Sequence, residues 1–273
     1  MSIVRIATWN VNSLKARMPR VEEWLGYADC DVLCLQETKL SDNAFPSMAF
    51  QQLGYESFHV GQGQWNGVAI LSRVGISDMR AGFVEGLDGS GPADEYTSGV
   101  LAEARLATAT CAGISITSVY VPNGRTIDDP HYRAKLEWLL RLREQCDRTS
   151  TADAPAMILG DFNIAPDDRD VPNPAAFKDS THVTVEERAR LRELQEWGFA
   201  DTFRMLYPDN RLYTYWDYRA GDFHQHRGMR IDLILATRPV AEKVSWALVD
   251  RNARKGKLPS DHAPVIVDVD WTV

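Results

Sequence analysis

Ile3-Val4-Arg5-Ile6-Ala7-Thr8-Trp9-Asn10-Val11-Asn12 is a short apolar, β-branched run that stops abruptly in polar residues. Its length and composition predict a buried strand. From Ser13 to Tyr27 the pattern changes, and Leu14, Met18, Val21, Trp24 and Leu25 form a loose apolar stripe at helical spacing. A second strand-like run occupies 31–35, and others lie at 67–72, 114–121, 156–159, 231–236 and 265–269. Helix-like stretches at 129–146 and 185–197 fall between them, so the chain reads as mixed α/β, with sheets covered by helices. No Gly/Ser linker, low-complexity tract or repeat divides the 273 residues, which are read as one domain, 1–273. Long polar loops are expected at 80–98 and 166–180. The second follows a polar cluster directly and is the candidate functional insertion.

A 44% hydrophobic content with 25% charged residues allows a sizeable core. The net charge of −8 argues against a general basic nucleic-acid binder. It leaves room for a nuclease, where an acidic metal site adds negative charge beside a locally basic surface. Arg251, Arg254, Lys255 and Lys257 precede Ser260 closely and read equally as a solvated loop or as a phosphate-binding patch. No apolar run approaches the roughly 20 residues needed to span a bilayer. The first residues, Met1-Ser2-Ile3-Val4-Arg5, carry no secretion signal, so a cytoplasmic protein is expected. Cys30, Cys34, Cys111 and Cys146 lack CxxC spacing and are expected as free thiols in a reducing compartment.

Polar residues gather where the apolar runs end: Asn10 and Asn12 after the first, Gln36-Glu37-Thr38-Lys39 after the second, Tyr120 to Arg125, and Gly160-Asp161-Phe162-Asn163. Asp232 lies within an apolar run, and Ser260-Asp261-His262-Ala263-Pro264 precedes the last. Ligands of α/β sheets bind at the carboxyl ends of strands, where such residues can meet. Glu37, Asn10 and Asp261 offer hard oxygens suited to Mg²⁺ or Mn²⁺. Asp161 is a turn former, or a residue that orients or deprotonates a water while Asn163 donates a hydrogen bond. Asp232 inside an apolar strand needs a partner: either His262, whose ring it would fix and whose pKa it would raise, or a structural one such as Arg230. His224 and His226 lack a third ligand at metal spacing, and His59, His131 and His182 read as ordinary surface or half-buried residues. The aromatics of Tyr213 to Arg219, beside Met229 and Arg230, pack a sheet or line a pocket for a sugar lacking its base.

Together these segments resemble the exonuclease III family of abasic-site (AP) endonucleases, over about Ile3 to Val269. SDHAP is shared across the wider endonuclease/exonuclease/phosphatase superfamily. LQETK at 35–39, YVPNGR at 120–125, GDFNIAP at 160–166, YTYWDYR at 213–219 and GMRIDLIL at 228–235 are more specific to the AP endonuclease branch.

The resemblance implies a four-layer αββα sandwich of the deoxyribonuclease I-like kind, two packed mixed sheets flanked by helices. It implies that Glu37 is the principal metal ligand, helped by Asn10 and Asp261, with Mg²⁺ or Mn²⁺ as cofactor. His262 held by Asp232 would contact a phosphate oxygen, Asp161 and Asn163 would place the water or assist the leaving group, and Tyr120 would steady the phosphate. Asn12, Arg125, Tyr215, Trp216, Met229, Arg230 and Ile231 fall at substrate-binding positions. The implied activity is incision of duplex DNA 5′ to abasic sites by a monomer, with 3′→5′ exonuclease and 3′-phosphodiesterase activity alongside. A small-molecule or lipid-head-group phosphatase of the same fold is the nearer competing class, and a non-catalytic DNA-binding module the more distant. The aromatic stretch and GMRIDLIL oppose the first, and the complete set of polar residues opposes the second.

Overall fold

Side chains alternate along the first strand, β1 (Ser2–Asn10), and its two faces bury against different partners. Val4 and Ile6 enter a core shared with Val32, Cys34 and Ile70 and, from a second sheet, Ile116, Met157, Leu159 and Ile234. Ala7 and Trp9 point the other way, joining Leu33 and Leu35 against Leu14, Val21, Trp24 and Leu25 of the helix Leu14–Ala28. On the outer face of the second sheet, Val119, Ile158, Leu233 and Leu235 pack on Trp138, Leu139 and Leu142 of the helix Pro130–Thr149 and on Leu191 and Leu194 of the helix Val185–Trp197. Helix, sheet, sheet, helix is therefore the layer order, as the resemblance implies. The computed structural model describes residues 2–90, 93–178 and 180–272. Met1, Val273, Gly91 and Pro92 of the expected 80–98 loop, and Asp179 of the 166–180 loop, lie outside the described residues.

The other strands are β2 (Val32–Gln36), β3 (Glu56–Val60), β4 (Val68–Ser72), β5 (Ser77–Ala81), β6 (Leu106–Cys111), β7 (Ile114–Tyr120), β8 (Ala156–Asp161), β9 (Phe199–Asp201), β10 (Asp232–Thr237), β11 (Val244–Val249) and β12 (Val265–Trp271). One six-stranded sheet runs β11-β12-β1-β2-β4-β3 and the other β5-β6-β7-β8-β10-β9. β1 with β2 and β7 with β8 pair in parallel, and the remaining neighbours are antiparallel. Each parallel pair is joined by a helix, Leu14–Ala28 or Pro130–Thr149, so the two sheets share a local topology without a visible sequence repeat. Helix starts are well specified: Asp129 caps one with Pro130 behind it, and Thr184 with Glu187 forms a capping box at another.

Several boundaries differ from expectation. β8 continues to Asp161, which ends the strand and forms the turn after it, its Oδ1 accepting from Asn163 N. Asp232 heads β10 instead of lying within it, because the Ile231 and Asp232 amides both donate to Thr214 Oγ1 before the ladder begins. Strands β3, β5, β6, β9 and β11 lacked a long apolar run: β5 and β11 are edges with exposed residues, and β6 is built of small ones. The expected 80–98 loop holds the end of β5 and the start of the helix Glu95–Leu101, and the 166–180 loop holds short turns at Asp168–Asp170 and Pro174–Phe177. All four cysteines are buried and free. Among the described residues, no helix is long and apolar enough to cross a membrane.

Candidate active site

The inner faces of the two sheets turn polar at one end. On β1 the residues after Val4 and Ile6 on that face are Thr8 and Asn10; on β2, Val32 and Cys34 give way to Gln36; on β8, Met157 and Leu159 give way to Asp161. Thr8 and Gln36 hydrogen-bond each other at 3.1 Å, and Gln36 donates across the seam to Ser118 at 3.2 Å. Strand register then sets Asp161 opposite Asp232 on one side and beside Tyr120 on the other. Gly160 permits this close approach: at its φ of 151°, a Cβ would sit 1.9 Å from the Val119 carbonyl oxygen.

The loops leaving β1 and β2 are zipped together. Ser13 N donates to Glu37 O at 2.7 Å and Leu14 N to Thr38 O at 3.0 Å, while Thr38 N and Lys39 N donate to Gly67 O and Asn66 O. Asn12, Glu37, Lys39 and Asn163 all adopt positive φ, between 43° and 54°. Left-handed backbone at non-glycine residues costs energy and collects at functional sites. Ser260 pins the opposite wall, donating from Oγ to Asn10 O at 2.7 Å and accepting from His262 N at 3.2 Å.

Within this frame the side chains form one network. Asn10 Nδ2 donates to Glu37 Oε1 at 2.8 Å and to Asp161 Oδ2 at 2.9 Å. Lys39 Nζ lies 2.9 Å from Glu37 Oε2 and donates to Asn12 Oδ1 at 2.6 Å, and Asn12 Nδ2 donates to Asp261 at 3.1 Å. His262 Nδ1 is 2.8 Å from Asp232 Oδ2, and its Nε2 faces Asp161 Oδ2 at 3.9 Å. Asn163 N donates to Asp161 Oδ1 at 2.9 Å.

The charges follow from these contacts. Burial opposes the His262 imidazolium, yet Asp232, with Asp161 and Asp261 beyond, outweighs it and pushes the pKa up to about 10. Burial pushes the Asp161 carboxyl up to about 7, against the pull of His262 and with the repulsion of Asp232. Burial would also raise Glu37, but Lys39 and the Asn10 amide hold it below its ordinary value. Tyr120 keeps its phenolic proton, since burial and nearby Glu37 lift it well above the usual range.

Ligand atoms of Glu37, Asp161 and His262 lie within 4.8 Å of one another. His262 is engaged with Asp232 through Nδ1, and the two carboxylates of the cluster are hard donors that fit a divalent cation keeping most of its waters. Asn10 turns its amide nitrogen to both, while its oxygen accepts from Asn12 N at 3.0 Å. In this arrangement it links the two carboxylates. Asp261 lies beyond Asn12, outside that cluster.

The expected substrate-binding residues divide. Tyr215 packs on His262 with ring centroids 4.9 Å apart and, with Met229 and Phe177, lines a cavity of about 510 Å³. Trp216 and Ile231 are buried behind that wall, Trp216 beneath Arg251 and Arg254. Arg254 is thus part of the support, while Lys255 and Lys257 of the basic run are exposed. Arg230 cannot reach substrate: it is buried, with Nε on Asp170 at 2.7 Å and Nη1 on Asp201 at 2.8 Å. Arg125 is exposed and pairs loosely with Asp129. A larger cavity of about 790 Å³, between the 168–178 segment and the helix Val185–Trp197, includes none of the expected site residues.

Sequence reading missed Lys39, Thr214, Ser260 and His182. The first three sit inside motifs already noticed. His182 is half-buried, as expected, but its Nε2 lies 3.1 Å from Asn163 Oδ1 and from Asn123 Nδ2, a contact no local pattern announces.

The sequence profile of the Endonuclease/Exonuclease/phosphatase family matches residues 7–262. An exodeoxyribonuclease III of Haemophilus influenzae is 30% identical, covering 96% of this chain and 98% of its own. Two solved structures superpose with TM-scores of 0.90 over 98% of this chain: an AP endonuclease from Archaeoglobus fulgidus, 36% identical over 99% of that chain, and a 3′ phosphatase from Neisseria bound to a product DNA hairpin, 35% identical over 100% of that chain.

Proposed function

The chain belongs to the Endonuclease/Exonuclease/phosphatase family, and we propose that it incises duplex DNA on the 5′ side of abasic sites by metal-dependent hydrolysis. It is a hydrolase of the exodeoxyribonuclease III and AP endonuclease kind, and DNA is its substrate. The observation that carries the finer reading is the meeting of Glu37, Asp161 and a protonated His262 at one end of the sheet seam, beside a cavity walled by Tyr215 and Met229.

Glu37 would hold Mg²⁺ or Mn²⁺, with Asp261 nearby and Asn10 fixing the carboxylate. A cation there would stabilise the charge that builds on the phosphoryl group and leaving oxygen. Asp161, whose carboxyl titrates at about 7, is poised to take a proton from the attacking water near neutral pH. His262 stays protonated and donates from Nε2 to a non-bridging phosphate oxygen, with Asp232 holding the ring and its charge. The neutral Tyr120 phenol and the Asn163 amide supply further hydrogen bonds to the phosphate. These roles put the base on Asp161 rather than on His262. Extruding a nucleotide without a base sacrifices little stacking, and the cavity beside His262 receives its sugar. A cytoplasmic setting is part of the proposal, in keeping with the exodeoxyribonuclease III relative.

A second activity, removal of phosphate from DNA 3′ ends, is supported by the equal structural likeness to the Neisseria 3′ phosphatase. Purified protein should be given three substrates in Mg²⁺: an abasic duplex, a duplex with a 3′-phosphate, and an inositol phosphate. The reading expects turnover of the abasic duplex and none of the inositol phosphate. Turnover of inositol phosphate alone would overturn it.

A further inference from the structure

A lysine and a glutamate lie fully buried behind the site. Lys135, on the helix Pro130–Thr149, and Glu187, in the first turn of the helix Val185–Trp197, are both 0% exposed and in direct contact. Burying such a pair is weak evidence for stability, because apolar side chains of similar size often serve as well. The other hydrogen bonds of the pair point to a different role.

Lys135 Nζ donates to three acceptors: Glu187 Oε1, the Asn163 carbonyl at 2.7 Å and the Asn123 carbonyl at 3.2 Å. Its remaining two bonds therefore end on the two loops that bear Asn123 and Asn163. Glu187 is equally committed. Its Oε1 also accepts from His182 N at 2.9 Å, and its Oε2 from Thr184 N and Oγ1. His182 in turn reaches Asn163 Oδ1, as does Asn123 Nδ2 at 3.2 Å. The carbonyl of Asn163 and both groups on its side-chain oxygen thus trace back to one ion pair. Asn163 Nδ2 donates to Val121 O at 3.0 Å, which leaves one amide hydrogen to face a phosphate. Asn163 also has a φ of 50°, a backbone conformation that needs such support.

We propose that the Lys135–Glu187 pair is a positioning device for the reaction, which sets the Asn163 amide at the phosphate by holding its carbonyl, its loop neighbour Asn123 and its partner His182. This rests on the role given to Asn163 above. Groups that orient a catalytic side chain act on turnover more than on ground-state binding when the contact they set is made in the transition state.

The test is a pair of changes, Lys135→Met with Glu187→Gln, which removes both charges at nearly constant volume. On a duplex with one abasic analogue in Mg²⁺, kcat should fall roughly 10- to 100-fold with KM within about twofold. The melting temperature should stay within a few degrees. In an Asn163→Ala background the same pair of changes should cost no more than about twofold, because the group it positions is gone. Unchanged kcat in an active, folded double variant would overturn the proposal, as would an equally large loss in the Asn163→Ala background. Should the double variant not fold, Glu187→Asp, which keeps a charge for Lys135 but shortens the reach to His182 N, takes its place in the same comparison. A wild-type protein inactive on this duplex contradicts the function reading first, and the proposal with it.

Discussion

His262 Nδ1 lies 2.8 Å from Asp232 Oδ2, in a place where neither residue is more than 4% exposed. The contact fixes the ring and keeps it charged. Asp232→Asn preserves shape and a hydrogen bond but removes the charge that outweighs burial. The expected outcome is a kcat lowered by roughly 100-fold or more, with DNA binding little changed. His262→Ala should show at least as large a loss in the same steady-state assay. Near-full activity in either variant contradicts the role given to the pair.

The pH dependence follows from the two titrations that face each other at 3.9 Å. The proposed mechanism uses Asp161 deprotonated and His262 protonated, so kcat/KM should rise through about pH 7 and fall through about 10. The two limbs are properties of the coupled pair. A cation near Asp161 favours its ionised form, so raising the metal concentration should move the acid limb to lower pH. Stability has its own sign. The His262 pKa rises on folding from 6.5 to about 10, so its contribution is complete below 6.5 and is lost as pH rises through 10. Urea titrations at several pH values should therefore show His262→Ala losing most relative to wild type below about pH 6.5 and least above pH 10.

Glu37 is paired with Lys39 and Asn10, and it is the carboxylate of the cluster held below its ordinary pKa. Glu37→Gln keeps the Asn10 contact but takes away the charge. Half-maximal activity should then need a metal concentration at least about tenfold higher, read from a Mg²⁺ titration. An unchanged titration curve removes Glu37 from the metal.

Arg230 serves the fold. It sits between Asp170 and Asp201, and Asp170 also holds Arg204 at 2.6 Å. Arg230→Met leaves two buried carboxylates short of a partner, and the expected loss is about 3 kcal/mol or more of unfolding free energy. At low temperature the folded fraction should keep its KM for DNA. Wild-type stability with weakened DNA binding would restore Arg230 to the substrate.

Much of this was legible in the sequence, and the reasons differ by residue. Asn10, Glu37 and Asp161 stand where apolar runs stop, so the switch from apolar to polar on a single strand face marked them. His262 and Asp232 could be paired because a carboxylate beside an apolar run needs a partner. Arg230 misled for the opposite reason: it adjoins the aromatic segment, while its partners Asp170 and Asp201 are distant in sequence. Trp216 is likewise part of the aromatic cluster but faces inward, since one step along an extended chain reverses the face. Lys135, Glu187 and His182 carried no signal. Their contacts depend on two helices and two loops that meet only after both layers pack.

The most direct test is a labelled duplex carrying one tetrahydrofuran abasic analogue, incubated with Mg²⁺ or with EDTA. The site built from Glu37, Asp161 and His262 predicts incision at the single bond 5′ to the analogue in Mg²⁺, abolished by EDTA. A duplex left intact in Mg²⁺, or cut equally well in EDTA, would contradict it.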